Sequence, residues 1–256
     1  MLVSGSDGAR NPHRDQRSHL GLLVFRLTPT HPSDPPATPV PIVTAIAAHP
    51  RHAGRFELEV DGVAAASLSL DSIERLLLVV GGSVEGKEDQ IATEAARFKI
   101  HRRALNMLAV RAHSSAELAR SLVRKGELQA HVDAVILRLQ EQGLLDDAAF
   151  AASYTRTKVL VANHSRRRVQ QDLARKGVAR AVTDAAIAAV FIEEAVDQRA
   201  LVESVARKKL RSLGKLDPVV RRRRLYAFLA RRGYDADDIR RAMSAVGESL
   251  NLAVES

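Results

Sequence analysis

One unit recurs three times in this 256-residue chain: a short basic helical segment that ends in glycine. The copies are SSAELARSLVRKG (114–126), SRRRVQQDLARKG (165–177) and RRRRLYAFLARRG (221–233). With the glycines aligned, Leu118, Val169 and Leu225 coincide, and so do Leu122, Leu173 and Leu229. Two cations precede each glycine: Arg124-Lys125, Arg175-Lys176 and Arg231-Arg232. A repeat constrains a fold more than any isolated motif, because one supersecondary unit then predicts most of the chain.

Around each copy the pattern predicts two more helices. In the first unit, Leu105 and Leu108 lie on a preceding helix, and Val132, Val135, Ile136 and Leu139 on a following one that Gly143 closes. Ser114, with Glu117 three places on, is a capping box. In the second unit, Asp146 or Asp147 caps a helix carrying Phe150 and Tyr154. Ser165 caps the middle helix, and Ile187 and Val190 line the third. In the third, Asp217-Pro218 opens the middle helix, and Asp235 opens a last one carrying Ile239, Met243 and Val246. The expected fold is therefore mainly α: three tandem three-helix repeats forming an elongated solenoid. The boundaries fall at 101–147, 148–196 and 197–247, with 248–256 as a C-terminal tail.

Upstream the pattern changes. Residues 1–41 are rich in proline and polar residues and read as a disordered tail. Residues 42–100 read as a small β meander plus helices. Phe56, Leu58 and Val60 alternate with charged residues, and Asp61-Gly62 is a strong hairpin turn before a return strand Val63–Leu68. Asp71 and Glu74 have capping-box spacing for a helix carrying Ile73, Leu76, Leu77 and Val80, which Gly81-Gly82 stops. The glycine-rich stretch 81–86 reads as a linker between helices, since it lacks the Lys-Ser/Thr ending of a phosphate loop. A helix, whole or in two pieces, follows over 86–111.

Charge divides the chain in the same way. Residues 1–96 carry a net charge of −4 and residues 97–256 a net charge of +13. Basic charge concentrated in the repeats points to a polyanionic partner. Arg166, Arg167 and Arg168, and Arg221, Arg222, Arg223 and Arg224, read as runs at helix N-termini, where cations oppose the macrodipole and an anion reverses the penalty. Together with Arg175, Lys176, Arg231 and Arg232 they are the candidate contacts to nucleic acid or an acidic surface. Lysine and arginine in a last helical turn before a glycine are also ordinary C-terminal chemistry. Tyr226, one place off the Leu225 stripe, is the tyrosine best placed for exposure.

Other chemistry is not signalled. The chain has no cysteine, so disulfides and thiolate-held zinc are excluded. Asp146-Asp147 precedes an apolar run where a cap belongs, and adjacent carboxylates are not a matched acid–base pair. The His49 and His52 pair lacks the further ligands of a metal site. No triad, metal or nucleotide fingerprint is present, so the expectation is a non-enzymatic, cytoplasmic protein with no cofactor and no small-molecule substrate. No membrane segment is expected either, because Leu20–Leu27 is too short to span. The chain is expected to be a monomer. A helix-turn-helix transcription regulator is the alternative, although no third helix has a face rich in Asn, Gln and Arg.

Taken in order, these motifs resemble the bacterial RecX family of regulatory proteins. Ala104–Arg111, Ser115–Leu118 and Leu122–Gly126 resemble its opening. Gly143-Leu144-Leu145-Asp146-Asp147 with Phe150, Ala151 and Tyr154 resembles its most recognisable motif. Leu173–Gly177 and Leu229–Tyr234 continue the likeness to about Val246. His164 departs from it, standing where a glycine-containing turn is expected, and the strands of 42–68 resemble an extension found in some members. The resemblance implies a modulator of the recombinase RecA. Such a protein would bind the RecA filament on single-stranded DNA, lie along its groove, and inhibit strand exchange, ATP hydrolysis and coprotease activity, so regulating DNA repair.

Overall fold

A computed structural model describes residues 40–254 apart from residue 215, with side chains described through residue 247. All but the last two residues of the stretch expected as a disordered tail, 1–41, lie outside the described residues. Three antiparallel strands, β1 (Val43–Ala48), β2 (Phe56–Val60) and β3 (Val63–Leu68), form a sheet in that order. Phe56 faces Leu68 and Leu58 faces Ala66 across β2 and β3, and the register skips Ala65. Asp61 and Gly62 make the tight turn with φ of 52° and 77°, both left-handed, as a two-residue hairpin with the twist of its strands requires. A three-strand sheet is too small to be stable alone. Its apolar face closes over α1 (Leu70–Arg75) and the first turns of α2 (Glu88–Val110), burying Leu58, Leu68, Ile73 and Ile91 together.

Two local expectations are corrected here. The cap of α1 is Ser69, whose hydroxyl accepts from the Ser72 N–H at 3.2 Å, two residues before Asp71. The helix ends at Arg75; Leu77 takes a φ of 51° and Leu77 and Val80 face solvent, so the expected stripe stops at Ile73 and Leu76. The glycine-rich stretch after it is more than a linker. Gly81 N–H donates to Val43 O at 2.8 Å and Val43 N–H to Gly82 O at 2.9 Å, so this segment runs along the outer edge of β1.

The three-helix units follow. The first is α2, α3 (Ser115–Arg124) and α4 (Gln129–Glu141). The second is α5 (Asp147–Arg156), prolonged by a π turn over Thr157–Val161, then α6 (Arg166–Lys176) and α7 (Arg180–Glu193). The third is α8 (Gln198–Ser212), α9 (Pro218–Arg231) and α10 (Ala236–Val254). The last helix runs through most of the stretch expected as a tail from residue 248. Within each unit the first and third helices pack against each other. The aligned leucines and valine of the middle helices, Leu118 and Leu122, Val169 and Leu173, Leu225 and Leu229, are all buried in their own unit's core. Each such side chain contributes about 1.5–3 kcal/mol by leaving water.

Candidate nucleic-acid interface

The repeated middle helices stack end to end, and this decides which of their cations remain free. The N-terminus of α3 receives the C-terminus of α6. Ser114 Oγ accepts from the Glu117 N–H at 3.2 Å, so the hydroxyl caps its own helix. The same hydroxyl donates to Lys176 O at 2.6 Å, and Arg120 donates to Arg175 O at 3.0 Å. Helix C-termini leave carbonyls without partners; here the preceding unit supplies the donors. Asp147 completes the joint by accepting from the Ser115 N–H at 2.8 Å, while its neighbour Asp146 caps α5. Both carboxylates of that pair are therefore structural.

The N-terminus of α6 receives the C-terminus of α9 in the same manner. Ser165 Oγ accepts from the Arg168 N–H at 3.2 Å, and Ser165 N–H donates to Arg232 O at 3.0 Å. Arg232 Nε donates to Ala162 O at 3.3 Å, and the buried Tyr234 hydroxyl to Asn163 O at 3.1 Å. Burial pushes that phenol up to about 12. In both joints a negative helix end meets a positive one, so the macrodipoles align head to tail.

Lys176 and Arg232 are thus joint residues, a role the sequence reading did not assign. Lys176 Nζ sits 3.2 Å from both carboxylate oxygens of Glu117 and over the rings of Phe150 and Tyr154. Arg232 stacks on Phe228 with its guanidinium carbon 4.0 Å from the ring centroid. Desolvation pushes the Glu117 carboxyl up, but hydrogen bonds and charge from Arg111 and Lys176 outweigh it and hold the group at about 2. Arg168 is half-buried under Gly233 and paired with Asp172 at 3.2 Å, and Arg175 pairs with the same carboxylate at 3.1 Å.

The remaining cations are different. Arg166 and Arg167 on α6, and Arg222, Arg223, Arg224 and Arg231 on α9, are exposed; Arg221 is half-buried. None of the seven has a carboxylate within ion-pair distance among the described residues. Arg166 lies over the Phe191 ring at 5.6 Å. The helix dipoles do not act on these runs as the sequence predicts. Because α9 begins at Pro218, Arg221–Arg224 occupy its second turn rather than its N-terminus, where the dipole has faded. Arg166–Arg168 are at the start of α6, but the carbonyl end of α9 docks there and offsets the positive pole. What marks Arg166, Arg167, Arg222, Arg223, Arg224 and Arg231 is exposure without a carboxylate partner among the described residues. Sequence reading passed over three more cations of this kind, Arg207, Lys208 and Arg211 on α8; the signal was the same clustering, in the run Arg207–Lys209. Tyr226 is exposed on α9 beside the arginines, at 43%.

Among the described residues no group of three or more His, Cys, Asp or Glu side chains could hold a metal, and no helix is long and apolar enough to cross a membrane.

Family models match the three units in order. Those for the first, second and third three-helix domains of RecX match residues 101–139, 146–187 and 197–243. Regulatory protein RecX of Pelodictyon phaeoclathratiforme is 33% identical over 140 residues, 55% of this chain and 84% of the relative. That of Halorhodospira halophila is 35% identical over 156 residues, 60% of this chain and 92% of the relative. A crystal structure of regulatory protein RecX covers 80% of this chain and 100% of its own at a TM-score of 0.65 and 22% identity, a likeness of fold. Three matching domains in one order, with relatives aligned over most of their length, show that this chain belongs to the RecX family of regulatory proteins.

Proposed function

We propose that this chain regulates RecA by binding its filament on single-stranded DNA, and that it inhibits strand exchange, ATP hydrolysis and coprotease activity. The observation that carries the reading is the set of exposed arginines on α6 and α9, Arg166, Arg167, Arg222, Arg223 and Arg224, left without carboxylate partners in a chain of this family. Charge of this kind suits a long polyanionic assembly, because each phosphate neutralised releases counterions. On this reading the protein acts by occupying the filament. Arg175, paired with Asp172, and Arg231, without a carboxylate partner among the described residues, belong to the same proposed surface.

The test is binding to RecA filaments assembled on oligothymidylate, followed by co-sedimentation across a salt series. Affinity is expected to fall by about 0.7 log units per log unit of salt for each single-strand phosphate contact. Arg222→Glu combined with Arg223→Glu is expected to weaken binding at least tenfold with the helical circular dichroism unchanged. Undiminished binding by that variant would remove α9 from the interface.

A further inference from the structure

The two edges of the sheet differ. The start of β1 is covered on its outer side by the segment after α1, through Val43, Gly81 and Gly82, and just before the strand Val84 N–H donates to Pro41 O at 3.0 Å. β3 is the opposite edge, and among the described residues its outer backbone groups hydrogen-bond to no other element. Such edges are normally guarded by proline or charge, and β3, reading VAAASL, has neither. Val63, Ala64 and Ala65 are exposed.

A cleft of about 800 Å³ lies along this edge, with α2 as its other wall. Ala64, Ala65 and Ala66 line one side, and their methyl groups let another backbone approach closely. Lys99, Arg102 and Arg103 line the other, at helical spacings of three and four, so they share one face of α2. The cleft's own carboxylate, Glu57, is already taken by Arg55 at 2.5 Å and by the Ser67 hydroxyl at 2.6 Å. Lys99 and Arg103 share the single carboxylate of Glu127, and Arg102 has none among the described residues. The wall therefore keeps an excess of positive charge.

We propose that this cleft takes an extended acidic peptide of a partner protein, which adds as a fourth strand along β3 and sets its carboxylates against Lys99, Arg102 and Arg103. An open edge offers both N–H and C=O groups. A peptide backbone answers both, whereas a phosphodiester backbone only accepts. Main-chain pairing then supplies affinity and the basic wall supplies selection, as in other strand-addition sites. The register skip at Ala65 interrupts the edge within the strand, so binding is of modest strength. The proposal does not rest on the RecA reading, since none of the arginines of α6 and α9 lines this cleft between β3 and α2.

The probe is a fluorescein-labelled decapeptide alternating Glu with Val and Thr, titrated against the full chain by anisotropy. Saturable binding is expected, with shifts of the Ala64, Ala65 and Ala66 amide signals. Lys99→Glu with Arg102→Glu should weaken it at least tenfold, and a probe with Lys in place of Glu should not bind. Should the charge-reversed variant unfold, Lys99→Gln with Arg102→Gln reads the same loss. Absence of saturable binding, binding indifferent to these substitutions, or amide shifts elsewhere would overturn the proposal. So would ten-residue oligothymidylate moving those three amides where the acidic peptide does not, since the cleft would then be a nucleic-acid site.

Discussion

A methyl group added at Gly177 would sit 2.4 Å from the Cβ of Ala116, and one added at Gly233 would sit 2.6 Å from the Cβ of Arg168. At Gly126 it would meet nothing within 4 Å. All three glycines have left-handed φ, of 81°, 83° and 87°, so each alanine variant bears the backbone strain of about 1–2 kcal/mol. Only the first two add a steric clash across a joint, worth about 1–3 kcal/mol more. Gly126→Ala is therefore expected to lower unfolding stability modestly, and Gly177→Ala and Gly233→Ala by roughly 3 kcal/mol. Urea unfolding of the three variants decides this; equal losses would mean that the glycines serve only as helix caps. Sequence alone showed three equivalent caps. The hint of a difference lay twelve residues upstream, where Ser114 and Ser165 align with Arg221. Serine stands where another helix end docks; the third copy, on which no helix end docks among the described residues, has arginine instead.

At the scale of elements, local signals were legible where the chemistry is local. The caps at Ser114, Asp146, Ser165 and Asp217 and the turn at Asp61-Gly62 lie where the residue types require them. Misreadings arose where a neighbour competes. Ser69 and Ser72 captured the start of α1 from Asp71, and pairing with β1 gave the glycine stretch a strand-like course. The joints were illegible because they link residues 32–71 positions apart. One of them is tunable by pH. The folded-state pKa of Glu117 is depressed from 4.5 to about 2, so its contribution is complete above pH 4.5 and is lost as pH falls toward 2. Allowing for partial solvent screening, this is about 1–2 kcal/mol. Stability measured between pH 5 and 2 should fall less steeply in Glu117→Gln than in the parent; identical slopes would mean that the joint between α3 and α6 does not depend on this charge.

For the whole molecule, charge and architecture separate two roles. The segment up to residue 96 carries −4 and the remainder +13. Within the basic part the joints consume Lys176 and Arg232, while α6, α8 and α9 retain exposed arginines and lysine. The candidate list read from sequence did not make this division: the pairing of Lys176 with Glu117 is a property of a packed joint, whereas Arg168 and Arg175 with Asp172, and Arg232 with Phe228, are pairs three or four residues apart whose spacing the sequence did carry. Family and fold were legible because three motifs kept one order across the repeats. The central claim, that these repeats regulate RecA on single-stranded DNA, is tested most directly by RecA ATP hydrolysis on that DNA, titrated with this protein. Inhibition is predicted well below one molecule per RecA protomer, and is predicted to be weakened by Arg222→Glu with Arg223→Glu. Undiminished hydrolysis at a full molar equivalent would contradict the account.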